Sequence, residues 1–284
     1  MGLLFLSRAL YFSLRIYFLG DIMKSENKDN KEKKQGNSVA KKILTAVGIL
    51  LIIIGIVLMG KYVADSKKAK DDTEVISTAV MTTETLADNP IDFASLKETN
   101  DEIYAWLNVP GTKVDYPVLQ SKESDDFYLK HSATDKSYSA SGAVYTQSMN
   151  ETDFSDRVTV IYGHNGYGDT FFTTLHNFEN EDTFNSNPNF TIYTPGRKLT
   201  YEIVSAFKYD DRHIMNSFNF KDDDVYKDFL SMIQNPSSAV KNVRTLDREL
   251  TTDDKIVVLS TCITNQKSNR YLVCGVLIND EKTN

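Results

Sequence analysis

The sequence predicts a mainly β protein: a closed eight-stranded β-barrel with a few peripheral helices, preceded by one N-terminal transmembrane helix. Three observations predict it. Ile43 to Gly60 is an unbroken run whose only polar side chain is Thr45. From residue 103 to 278 the chain reads as about eight short segments rich in β-branched and aromatic residues, parted by turn signals such as Pro110-Gly111, Asn165-Gly166 and Pro195-Gly196. Only two stretches in that region carry helical spacing instead, and many short strands with few helices indicate a barrel.

The elements follow in order. Residues 1–42 are read as a cytoplasmic segment. Its first 20 residues are apolar but broken by Arg8 and Arg15. They read either as an interfacial amphipathic helix or as sequence upstream of a native start at Met23, where Lys24-Ser25-Glu26-Asn27 begins a cytoplasmic-looking terminus. Residues 43–63 form the anchor, about 20 residues long, which is the length that spans a bilayer as a helix. Residues 24–42 hold seven lysines and residues 61–70 hold four. That bias puts the N-terminus in the cytoplasm and the C-terminal body outside, a single-pass protein of the cell membrane. Residues 64–90, rich in Lys, Asp and Thr, read as a stalk closed by Pro90.

The body is one domain, 91–284. Asp92 caps a short helix through Leu96. Strands are expected at Ile103–Leu107, Val114–Leu119, Gly142–Thr146, Val158–Tyr162, Phe190–Tyr193, Leu199–Phe207, Lys255–Thr261 and Tyr271–Ile278. A helix is expected at Thr170–Phe178, with Phe171, Phe172 and Leu175 on one face. A second is expected at Asp222–Gln234, where three aspartates meet the positive end of the helix dipole and Val225, Tyr226, Phe229, Leu230, Met232 and Ile233 form the apolar face.

Charge and cysteine content exclude some functions. Residues 1–70 carry 13 Lys and Arg against 5 Asp and Glu, and residues 71–284 carry 19 against 34. The body is acidic, which argues against a nucleic-acid partner. Two cysteines 12 residues apart, with no paired histidine spacing, give no zinc pattern, and no glycine-rich phosphate loop is present. Neither a metal nor a cofactor is expected.

Three residues at strand ends remain. Cys262 ends the run Ile256-Val257-Val258-Leu259-Ser260-Thr261, and Arg270 opens the next run after a polar segment, Ile263 to Asn269, read as a loop. His164 follows the strand Val158–Tyr162 and Gly163, with Asn165-Gly166 behind it, an address at a barrel rim with room for a ligand. His176 reads as packing or surface, and His131 and His213 as loop side chains. A cysteine needs a partner to raise its thiolate fraction, and a histidine supplies one. A guanidinium offers several fixed donors to the oxyanion of a tetrahedral intermediate. The trio suits acyl transfer at an amide carbonyl.

These residues carry a resemblance. Val258-Leu259-Ser260-Thr261-Cys262 resembles the sortase signature Thr-Leu-x-Thr-Cys, with Val258 in place of the first Thr and Arg270 where the family has its arginine. Ile161-Tyr162-Gly163-His164 resembles the strand that delivers the sortase histidine. Trp106, the segment Val114 to Gln120 and the helix at 222–234 are similar to class B members, so the barrel is expected to be of sortase type. The resemblance implies a membrane-anchored cysteine transpeptidase. Cys262 would attack after the Thr of a sorting motif in secreted surface proteins, His164 would act as acid and base, and Arg270 would hold substrate and oxyanion. An amine of the cell-wall peptidoglycan would resolve the thioacyl enzyme. Ser260, Thr261, Tyr209, His213 and Ile214 are expected to bind substrate. Two other readings stand beside it: a cysteine protease acting mainly by hydrolysis, and a non-enzymatic surface domain on a stalk.

Overall fold

A computed structural model of the chain describes residues 44–61, 89–166 and 168–283, with 42, 63, 64 and 67 as isolated positions. The expected cytoplasmic segment and stalk lie almost wholly outside the described residues. Helix α1, Leu44–Lys61, is long and apolar enough by composition to cross a membrane. Its large apolar side chains, Leu44 through Met59, are exposed on every side, a distribution that suits lipid rather than water.

The second unit is the barrel. Its strands are β1 (Ile103–Val109), β2 (Val114–Gln120), β3 (Tyr145–Thr146), β4 (Val158–Tyr162), β5 (Asn189–Thr194), β6 (Arg197–Asp210), β7 (Lys241–Val243), β8 (Ile256–Ile263) and β9 (Gln266–Lys282). Eight of them run in the order β5-β1-β2-β3-β4-β8-β9-β6, and β6 closes the ring by pairing with β5. The pairs β2–β3 and β4–β8 are parallel, and the other pairs are antiparallel. The eight expected strands are the eight of the barrel. The ninth, β7, extends the β6 edge beyond β5. It has three residues, two of them exposed, and so carries no alternation to read.

Four expectations are corrected. The strand expected at 142–146 pairs only over Tyr145–Thr146, because Gly142 sits in the left-handed region (φ 56°) and turns the chain just before it. The loop expected between Cys262 and Arg270 is a two-residue hairpin turn: Ile263 pairs with Gln266, and Asn265 at φ 63° supplies the left-handed corner. The polar residues read as loop are strand residues exposed to solvent. The helix expected at 170–178 is a 3-10 helix, Phe172–Glu179, and it buries Phe172, Leu175 and Phe178. That spacing of three is the 3-10 period. His131, read as a loop side chain in solvent, is half-buried and stacked on Phe127 with ring centroids 3.9 Å apart.

The helices of the body are α2 (Phe93–Thr99), α3 (Glu181–Ser186), α4 (Ile214–Ser217) and α5 (Asp223–Gln234). Asp92 caps α2 by accepting from the amides of Ala94 and Ser95, and Asp222 caps α5 by accepting from those of Asp224 and Val225. Strand alternation divides the apolar residues into three cores. Inward-facing side chains such as Ile161, Val257, Leu259, Tyr271 and Val273 fill the barrel. Outward-facing Val158, Val160, Val258, Leu272 and Cys274 pack beneath Tyr226, Phe229, Leu230 and Ile233 of α5. Each such buried side chain contributes roughly 1.5–3 kcal/mol. On the far side, Phe93 and Leu96 of α2 cover Ile103, Trp106, Leu119 and Tyr145. Tyr162 packs partly against both outer cores, and the functional cleft opens between them.

Candidate active site

Strands β4 and β8 run side by side up to Tyr162 opposite Ser260. Their last backbone bond is from the Gly163 amide to the Ser260 carbonyl, at 3.1 Å. Beyond it the two chains part, β4 turning off at His164 and β8 continuing through Cys262. Glycine is required at 163: a Cβ there would lie 2.5 Å from the Phe172 ring, which packs directly on the strand end. The loop after His164 is closed at its base by a bridge between Asn165 and Phe171 and by the Phe172 amide donating to the His164 carbonyl at 3.0 Å.

Cys262 lies opposite Arg270 on β9, and Arg270 lies opposite Tyr209 on β6. Residues paired across strands share a face, so thiol, guanidinium and phenol form one row on the outside of the barrel. Cys262 is exposed. Arg270 is half-buried and donates from Nη1 to the carbonyls of Lys267 and Asn269, both at 3.0 Å. Among the described residues it forms no ion pair, so its charge is free to meet an anion.

The imidazole of His164 donates from Nε2 to the Leu129 carbonyl at 2.7 Å. That bond assigns the tautomer and leaves the Nδ1 lone pair for proton exchange. Burial pushes the ring's pKa below its ordinary value, and the nearby Lys130 charge adds to this, while the Leu129 carbonyl opposes it. Tyr162 lies two residues before His164 on the same strand face. Among the described residues its buried hydroxyl has no hydrogen-bond partner, and burial pushes its pKa up to about 12, so it stays a neutral donor.

All eight residues expected from sequence, Cys262, His164, Arg270, Ser260, Thr261, Tyr209, His213 and Ile214, line one cleft of about 280 Å³. They are not placed alike. Ser260 shares the outward face with Cys262. Thr261 is buried opposite Tyr271 on the barrel-facing side, so its side chain turns inward. His213 caps α4 by accepting from the Asn216 amide at Nδ1, and its Nε2 donates to Gln147 Oε1 at 2.7 Å. Ile214 is buried in the core under α5. Asp126, Leu129, Tyr145, Gln147 and Tyr162 also line the cleft, and the reading of sequence passed over them. Tyr162 could have been found from its parity with His164. The Leu129 carbonyl could not, since main-chain groups leave no mark in composition. Cys274 is fully buried beneath α5, and burial pushes its thiol up. It pairs with Val258, four residues from Cys262 along β8, about 13 Å of strand, which is beyond disulfide reach.

Comparisons with known proteins agree with this architecture. The family model described as a sortase domain matches residues 107–278. The sortase B of Listeria monocytogenes is 25% identical over 241 residues, covering 81% of this chain and 95% of that protein. The X-ray structure of Clostridium perfringens sortase B is 32% identical, covers 66% of this chain and 100% of that chain, and superposes with a TM-score of 0.60. A Streptococcus pyogenes class B sortase involved in pilus biogenesis is 30% identical, covers 66% of this chain and 98% of that one, and has a TM-score of 0.55.

Proposed function

The chain belongs to the sortase family, as a class B cysteine transpeptidase, and we propose that Cys262, His164 and Arg270 carry its reaction at the cleft between β4, β8 and β9. The observation that carries this reading is the convergence of an exposed thiol, a neutral imidazole with a free Nδ1 and an unpaired guanidinium on one surface. Cys262 gives its proton to His164 Nδ1, and the thiolate attacks the main-chain carbonyl of the Thr in a sorting motif, at the amide bond that joins Thr to the next residue. Arg270 and the unpartnered Tyr162 hydroxyl donate to the substrate and its oxyanion. Imidazolium His164 then protonates the leaving amine, and a thioacyl enzyme remains. An incoming cell-wall amine loses its proton to His164 and takes the acyl group, which restores the thiol. Buried Ser260 and half-buried Tyr209 and His213, with Ile214 below them, shape the groove for the motif. Thr261 contributes main chain.

Helix α1 anchors the enzyme in the cell membrane, with residues 1–42 cytoplasmic and the barrel held outside on the 64–90 stalk. Its partners are secreted surface proteins bearing a sorting motif and the amine of the cell-wall peptidoglycan.

The test uses the full chain in detergent and fluorogenic peptides of the Asn-Pro-x-Thr-Asn, Ser-Pro-x-Thr-Gly and Leu-Pro-x-Thr-Gly kinds, with and without an amine acceptor. Cleavage that disappears in Cys262→Ala, with the amine joined to the product, is expected. Cleavage without amine incorporation would move the assignment to a protease.

A further inference from the structure

Past Ser260 the edge of β8 is no longer covered by β4. Carbonyls two residues apart along a strand point to the same edge. The carbonyl of Cys262 therefore points where β4 would have been, and a strand carbonyl there needs a donor. Two side chains stand in for the missing strand: Asn165 Nδ2 lies 2.9 Å and His176 Nε2 lies 3.1 Å from the Cys262 oxygen. Asn165 is the residue after His164. His176 comes from the 3-10 helix, stacked on Tyr271 with centroids 4.7 Å apart, and its Nδ1 lies 2.7 Å from Glu179 Oε1. Asn165 Nδ2 also lies 3.3 Å from both Thr264 Oγ1 and His176 Nε2. A His176 ring protonated on both nitrogens satisfies the carbonyl and the carboxylate together. A ring bare at Nε2 accepts from Asn165, which keeps its other hydrogen for the Cys262 carbonyl. In either state the carbonyl has a donor.

We propose that Asn165 and His176, the latter oriented by Glu179, are positioning residues that clamp the main chain of Cys262 to the loop carrying His164. The inference rests on the reading of Cys262 and His164 as nucleophile and acid–base. Among the described residues the clamp, with the Asn165–Thr264 contact beside it, provides the direct hydrogen bonds between the two elements beyond the point where their strands part, so it sets the distance over which the proton passes. A misplacement of about 1 Å in such a pair costs up to about 10²-fold in rate.

The experiment has two readouts on the full chain in detergent. The chain has two cysteines, so protein labelled with ¹³C at cysteine carbonyls gives two signals, assigned with Cys274→Ala. The Cys262 signal is expected to move in His176→Ala and Asn165→Ala and to return toward its wild-type position in His176→Gln, which keeps a donor. On a sorting peptide, His176→Ala and Asn165→Ala are each expected to lower kcat by about tenfold with KM within about twofold, and His176→Gln to recover part of the loss. Melting temperatures identify any variant that merely fails to fold, and Glu179→Gln, at the exposed end, then serves as the second test. An unmoved carbonyl signal in both alanine variants, or a moved signal with unchanged kcat, would overturn the clamp. A wild-type chain inert toward every peptide, with the signal still moving, would overturn the catalytic reading and the clamp's role in it, and would leave only the hydrogen bond.

Discussion

At the scale of single residues, His164 carries a measurable consequence. Its ring is pressed into the cleft wall, and burial favours the neutral form, so the folded pKa lies below the ordinary 6.5. As pH falls through about 6.5 the unfolded chain takes up a proton on this ring and the folded chain does not, so the folded state loses stability across that window and keeps it above. The wild-type melting temperature is therefore expected to fall more between about pH 7 and 5 than that of His164→Gln, whose side chain cannot titrate. Parallel curves for the two proteins would show that the ring is solvated after all. In the proposed reaction the same depression favours an imidazolium formed with the Cys262 proton, and the Leu129 bond to Nε2 leaves Nδ1 as the position for that transfer.

At the scale of elements, the junction of β4 with the 3-10 helix decides where His164 sits. Phe172 lies on Gly163 so closely that no side chain fits between them. Gly163→Ala is expected to push the 3-10 helix off the strand end, costing about 1–3 kcal/mol in denaturant unfolding. It should lower kcat/KM more than that stability loss alone would, because His164, Asn165 and His176 all move with that helix. Full activity in a stably folded Gly163→Ala would count against this account of the junction. The β8–β9 hairpin matters equally. With a two-residue turn, Arg270 is held opposite Cys262 by strand register rather than brought there by a flexible loop.

At the scale of the whole molecule, helix α1 and the lysine-rich segment before it set the sidedness proposed above. Cys262 is exposed and Cys274 fully buried, so a membrane-impermeant maleimide reads orientation at a single thiol. Intact cells are expected to label at Cys262. Labelling only after lysis would place the barrel on the cytoplasmic side.

The eight barrel strands, the Asp92 cap and the acidic start of the helix at Asp222 were legible in the sequence, and so was the nomination of Cys262, His164 and Arg270 as candidates that share one cleft, because each leaves a local trace: alternation, a run of acidic residues, or a polar side chain beside an apolar run. Strand β7 left none, being three mostly exposed residues whose pairing depends on β6. The 3-10 character of 172–179 shows only as a spacing of three, easily read as α-helical, and the tight turn at Thr264-Asn265 was hidden by the polar strand residues around it.

What the sequence determined by itself was the apolar segment at 44–61, the strand pattern and the chemistry available, since side-chain type and periodicity are local properties. What only the tertiary structure decided was which groups meet. The Leu129 carbonyl on His164, the inward turn of Thr261 and the grip of Asn165 and His176 on the Cys262 carbonyl join residues 35, 10 and as many as 97 positions apart in the chain. Such contacts arise from barrel closure and from the point at which two parallel strands separate, and neither is written in any one segment.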